Sequence, residues 1–239
     1  MKAQLRFVVT LAVACLGQAF AQTSFTLNLG GAAGVETIRN SMVFSGGGVS
    51  ATARSWSISR SGTNPKLAQS EVVQWAPGLG SKNSSETITT IPYVPYYVDN
   101  QDHYDFILFV FDRKVDLTSL SVNPSGNTFD TDASYWFGNV ATGVSLTGKD
   151  LSELTPLGFG TQKNNDTSPD NLARTFNLTG APTGGVNALL VGARFSGDSD
   201  FDRFKISTVR GNTIAVVPEP GAVGLVALGF VLAAIRRRR

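Results

Sequence analysis

The alternation of apolar and polar positions along the chain gives a β pattern from residue 23 to residue 209. In Thr23-Ser24-Phe25-Thr26-Leu27-Asn28-Leu29 the apolar side chains recur at every second position, which puts Phe25, Leu27 and Leu29 on one face of a strand. The same pattern predicts strands over 41–45 and 49–58, divided by a turn at Gly46-Gly47-Gly48, and later over 134–140, 143–147, 172–178, 186–195 and 201–209. The strongest signal is Tyr104-Asp105-Phe106-Ile107-Leu108-Phe109-Val110-Phe111. From Phe106 on, both alternating faces are apolar and the run is short and rich in aromatics, so it predicts a central strand covered on both sides. A polar turn at Asp112-Arg113-Lys114 is expected to lead into a neighbouring strand over 115–122. Helix is scarce, with one turn predicted over 149–154. Strands at this spacing, divided by Gly, Asn, Asp and Pro, predict an all-β fold: an antiparallel β-sandwich of jelly-roll type over residues 22–212.

Each end of the chain departs from this pattern. Lys2 and Arg6, the apolar run 7–16 and Ala19-Phe20-Ala21 read as a secretory signal peptide over 1–21, cut after Ala21. Leu11-Ala12-Val13-Ala14-Cys15 fits a lipidation box poorly, because its large aliphatic residue sits one position too early. Cleavage after Ala21 would remove the only cysteine and leave a domain that must be held together by core burial. At the other end, a linker over 213–221 containing Pro218-Glu219-Pro220 precedes the apolar run 222–235 and Arg236, Arg237, Arg238 and Arg239. As a helix rising about 1.5 Å per residue, that run reaches only about 21 Å. The hydrocarbon layer is roughly 30 Å thick, so the expectation is a short transmembrane helix helped by snorkelling arginines and local thinning. A buried core helix would show a polar stripe, and this run has none. The arginines hold their end in the cytoplasm, which places the body outside it. Pro218 and Pro220 bias their predecessors toward extended backbone and stop a helix from running through.

Pro-Glu-Pro, a short apolar span and an arginine cluster, in that order over residues 217–239, closely resemble the sorting signal of the PEP-CTERM proteins of Gram-negative bacteria. The resemblance implies that the chain is a substrate: an exosortase, a membrane-embedded transpeptidase-like enzyme, removes the tail and passes the protein to the cell surface. It implies no catalytic activity for the chain itself. Three further stretches resemble a group of exosortase-dependent surface proteins: Trp75-Ala76-Pro77-Gly78-Leu79-Gly80; Val98-Asp99-Asn100 followed by the apolar run from Asp105; and Asp130-Thr131-Asp132-Ala133-Ser134-Tyr135-Trp136. This second resemblance implies the same destination and no defined reaction.

Charge changes the picture once the ends are set aside. The whole chain is at +2, with 20 basic and 18 acidic residues. Lys2, Arg6 and the four terminal arginines account for six of the former and Glu219 for one of the latter, which leaves the exported body at 14 against 17, near −3. Nucleic acid is therefore not an expected partner, since no basic run is available for phosphates.

Catalytic chemistry has little to draw on. A Ser-His-Asp triad would have to use His103, the one histidine, and no Gly-x-Ser-x-Gly elbow occurs. Zinc sites built from His and Cys are excluded by count. Paired carboxylates for glycoside hydrolysis stay open at this stage. Calcium is the better expectation: Asp198, Asp200 and Asp202 offer carboxylates at alternate positions, although Arg203 and Val209 stand where an EF-hand needs Gly and Glu. Asp99, Asn100, Asp102 and Asp105, or Asp130 with Asp132, offer the same ligand type, and are also ordinary turn residues. Trp56, Trp75, Trp136, Tyr93, Tyr96 and Tyr97 are candidates for a sugar-stacking platform and equally for core positions. Sequons start at Asn83, Asn165 and Asn177. The expected function is structural or adhesive, at the cell surface or in an extracellular polysaccharide matrix. Its expected partners are an exosortase-type enzyme, transiently the inner membrane, and matrix polysaccharide. A carbohydrate-binding module and a secreted hydrolase are the competing classes.

Overall fold

The computed structural model describes residues 22–61, 63–86, 96–124, 129–166, 172–195 and 201–214, and residues 23–214 form one compact unit. Strand makes up 57% of the described residues and helix 4%, so the class is all-β as expected. The strands in chain order are β1 Ser24–Asn28, β2 Thr37–Arg39, β3 Met42–Gly46, β4 Val49–Ser59, β5 Ala68–Trp75, β6 Gly78–Lys82, β7 Val98–Asp99, β8 His103–Pro124, β9 Ala133–Gly138, β10 Lys163–Asn165, β11 Arg174–Asn177, β12 Val186–Ala193 and β13 Arg203–Thr213.

The arrangement differs from the expected sandwich. β13 pairs with β6, β6 with β5, β5 with β4, β4 with β8, and β8 with β13, so five antiparallel strands close on themselves as a barrel. The cause is the length of β8. Its first half pairs with β4 and β12, and its second half with β13 and β11. Asp112-Arg113-Lys114 is thus no turn between two neighbouring strands but an exposed bulge within one strand of 22 residues. The β12 partners step from Val110 to Val115 across it, and a bulge bends a strand without ending its pairing. The first half of β8 also carries an extension of the sheet, through β12 and β9 to β10.

Two apolar clusters lie against the first half of β8, one on each face, as its unbroken hydrophobicity predicts. Ile107, Phe109 and Phe111 point into the larger core with Phe25, Leu27, Leu29, Phe204 and Ile206. Phe106 and Leu108 face the smaller one with Trp56, Trp136, Leu146 and Phe159. A 3-10 helix over Leu151–Leu157, close to the predicted helical turn, contributes Leu154 to that second core. Its start is fixed by a capping box between Asp150 and Glu153, and its end by Gly158 at φ 101, a conformation that costs glycine nothing. The strand expected over 143–147 does not form. That segment is a turn and loop that buries Leu146 and offers the Thr147 hydroxyl to Trp56 Nε1 at 3.1 Å. β13 runs to Thr213, one residue into the expected linker.

Candidate functional site: a buried carboxylate cluster and a sorting tail

Four segments far apart in sequence meet at one end of the body. Asp99 ends β7 and Asn100 follows it, Asp130-Thr131-Asp132 lead into β9, Arg194 follows β12, and Asp202 precedes β13. The carboxylates of Asp130, Asp132 and Asp202 are all buried, and one oxygen of each lies within 4.8 Å of the others. Asp202 and Asn100 bond reciprocally: Asn100 Nδ2 donates to Asp202 Oδ2 at 2.7 Å, and Asp202 N–H to Asn100 Oδ1 at 2.9 Å. The Asp132 backbone N–H donates to Asp202 Oδ1 at 3.0 Å. Arg174 and Arg194 supply the counter-charge, at 3.4 Å and 3.3 Å from the two oxygens of Asp132. Arg174 also donates to Thr131 Oγ1 at 2.8 Å and to the Thr131 carbonyl at 2.7 Å, while Arg194 pairs in addition with Asp166.

This arrangement bears directly on calcium. Three buried carboxylates are the right donor chemistry for a hard cation. Here, however, both oxygens of Asp132 face guanidinium groups and both oxygens of Asp202 accept hydrogen bonds from the protein. The Asp132 carboxylate is thus engaged by two of the protein's own arginines, and that of Asp202 by Asn100 and the Asp132 N–H. Of the alternating set Asp198, Asp200 and Asp202, only Asp202 joins the cluster; Asp198 and Asp200 lie outside the described residues. Asp102 is exposed and takes no part.

Asp105 behaves differently from the cluster. It is completely buried on β8, where neither carboxylate oxygen has a well-formed hydrogen bond and weak interactions with the Asn83 side chain and the Asp99 backbone offset its burial only in part. Burial, reinforced by the nearby charges of Asp99 and Glu86, holds its carboxyl well above the usual carboxylate range. Burial also raises Glu86, to about 7, although the Asn83 N–H donates to its Oε2 at 2.8 Å. Asp99 is raised by burial against the opposing effect of the Gln101 N–H, and its nearest cation is Arg203 Nε at 3.9 Å.

Above these groups Arg203, Tyr97, Lys205 and Trp75 stack alternately. Arg203 stands 4.7 Å from the Tyr97 ring, and Lys205 Nζ 5.0 Å from Tyr97 and 5.4 Å from Trp75. Lys205 is buried without a hydrogen-bond partner among the described residues, and burial lowers its pKa to about 8.

The other sequence candidates are placed as follows. Trp56 and Trp136 are in the second core, Tyr96 and Tyr97 are buried, and Trp75 is half-buried over Lys205, so these rings present no stacking platform. Tyr93 lies outside the described residues. His103 Nδ1 is 3.4 Å from Ser85 Oγ, whose own proton goes to Asn83 Oδ1 at 2.6 Å, an arrangement unlike a base poised on a nucleophile. No pattern in the sequence singled out Arg174, Arg194, Lys205 or Glu86. The available hint was that charged residues interrupt otherwise strand-like runs.

By fold and site this is an all-β barrel with an internally paired polar network. The family model of the PEP-CTERM protein-sorting motif matches residues 216–239, so the chain carries at its C-terminus the exosortase sorting signal that its residues resemble. No curated protein and no solved structure matches the chain. The motif implies export, processing at a membrane by an exosortase-type enzyme, and then a surface location. Among the described residues no helix is long and apolar enough to cross a membrane. The expected signal peptide with Ala19 and Ala21, Pro218, Glu219, Pro220, the apolar run 222–235 and Arg236 to Arg239 lie outside those residues.

Proposed function

We propose that the protein is an exported structural or adhesive component of the cell surface or of an extracellular polysaccharide matrix, delivered there by exosortase-type removal of its tail. The observation that carries this reading is the sorting motif at residues 216–239. The body is consistent with a scaffold. Asp132 is engaged with Arg174 and Arg194 and Asp202 with Asn100, and its tryptophans serve the core or cover Lys205, an arrangement suited to a rigid scaffold. The test is the intact mass of the protein recovered from the surface or medium of its native host. The expected product has lost residues 1–21 and everything after a cut near Pro218. Material that retains Ile235 and the arginines in a cytosolic fraction would overturn the reading.

A further inference from the structure

Where the exported body begins decides what chemistry its first residue is open to. The cut expected after Ala21 leaves Gln22 first, with a free α-amine and a side-chain amide on the same residue. The fold holds the chain from the next residue onward. The Thr23 N–H donates to Thr213 Oγ1 at 3.1 Å, the Thr23 carbonyl accepts from the Thr213 N–H at 2.8 Å, and Ser24 to Asn28 pair with β13. Gln22 itself is exposed, lies outside β1, and its side chain makes no hydrogen bond among the described residues. It can therefore fold back over its own amine without displacing anything. Nucleophile and carbonyl then meet on one residue, in a small unstrained ring, which makes their reaction effectively unimolecular.

We propose that Gln22 is a modification site: once freed by the signal-peptide cut it closes to pyroglutamate, so that the mature body carries no free α-amine. The proposal rests on the reading of residues 1–21 as a cleaved signal. The α-nitrogen attacks Cδ, the new N–Cδ bond closes the lactam and the Cδ–Nε2 bond breaks. The leaving nitrogen takes a proton from the attacking amine and departs as ammonia, so no oxidant or second reactant is required. The lactam removes the amine that an aminopeptidase must grip. From Thr23 on the backbone is already committed to the sheet, so ring closure completes the protection of this end.

The experiment takes the protein from the surface or medium of its native host and reads the tryptic peptide that runs from Gln22 to Arg39. The expected mass is that of the unmodified peptide less one ammonia. Fragmentation should place the loss on the first residue, which separates it from a succinimide of the same mass at Asn28. Edman degradation should give no signal until pyroglutamate aminopeptidase has removed residue 22, after which Thr23 appears first. Gln22→Ala, exported by the same host, should be open to Edman degradation from its first cycle. A peptide that begins at Gln22 with its full mass, or a loss placed elsewhere in it, would overturn the proposal. A peptide that begins at any other residue refutes the cut on which the proposal rests, and the C-terminal peptide of the same digest reads the removal of the tail independently.

Discussion

The buried carboxyl of Asp105 makes a prediction whose size follows from its surroundings. In the unfolded chain an aspartate loses its proton near pH 3.9. In the folded barrel it keeps the proton to a higher pH, because it is completely buried and the carboxylates of Asp99 and Glu86 oppose a third negative charge. A raised carboxyl contributes stability that is fully present below the unfolded value and is lost as pH climbs toward the folded one. Over that window each pH unit removes about 1.4 kcal/mol, for as long as the folded group stays protonated. The loss begins above the unfolded value and continues with rising pH until the folded group ionises.

Asp105→Asn keeps the shape and cannot ionise, so it removes this slope. The amide carries a fixed cost of its own, about 1–3 kcal/mol if its N–H groups find no acceptors, but that cost does not vary with pH. The measurement is urea unfolding of wild type and Asp105→Asn at pH 5, 6 and 7. Relative to the wild type, the variant should gain on the order of 1 kcal/mol for each pH unit over which the wild-type carboxyl stays protonated. Glu86 is present in both proteins, so most of its own titration cancels. Parallel curves, or a variant that falls further behind as pH rises, would mean that the Asp105 carboxylate is ionised and stabilised in the fold, and the reasoning would fail.

Three further outcomes follow from the polar groups nearby. Arg194→Met leaves Asp132, fully buried, with one of its two guanidinium partners, and is expected to cost roughly 3 kcal/mol in a denaturant titration. Lys205, with a pKa lowered to about 8, contributes stability that is present above its unfolded value of 10.5 and is lost as pH falls through 8. Wild-type stability should therefore rise between pH 8 and 10.5 by at most about 3 kcal/mol, and Lys205→Met should lack that rise. For the aspartate cluster, melting with and without chelator should give the same midpoint. A fall on chelation would show that a cation, rather than arginine, neutralises Asp130, Asp132 and Asp202.

The strands legible in the sequence were those whose alternation is set by one core face, such as β1, or whose apolar run is unbroken, such as the first half of β8. Those missed have other constraints. β5 carries Gln69, Ser70, Glu71 and Gln74 among its apolar residues, and β6 reads Gly-Leu-Gly-Ser-Lys, which resembles a turn. The reason for glycine in β6 is tertiary: a Cβ on Gly80 would stand 2.0 Å from the Tyr96 carbonyl oxygen, so the strand can form there only without a side chain. The bulge in β8 misled for a related reason, since three consecutive exposed polar residues look the same whether the chain turns back or only bends. The barrel closure that followed from it could not be read locally.

The carboxylate cluster and the sorting tail mark the two limits of what a sequence discloses about this protein. Asp132 meets Arg174 across 42 positions and Arg194 across 62, and Asp202 meets Asn100 across 102. Read alone, each of these aspartates is a turn residue or a cation ligand, and only the fold reveals that arginines stand beside them. The tail obeys the opposite logic. A processing enzyme must admit the scissile segment as an extended chain, so what it recognises has to be written in consecutive residues, and Pro218-Glu219-Pro220 with its apolar run and arginines is such a signal. The destination of this protein is therefore encoded linearly and its rigidity is not. Substitutions in the tail should redirect the protein without affecting its stability, whereas those in the buried network should affect stability without redirecting it.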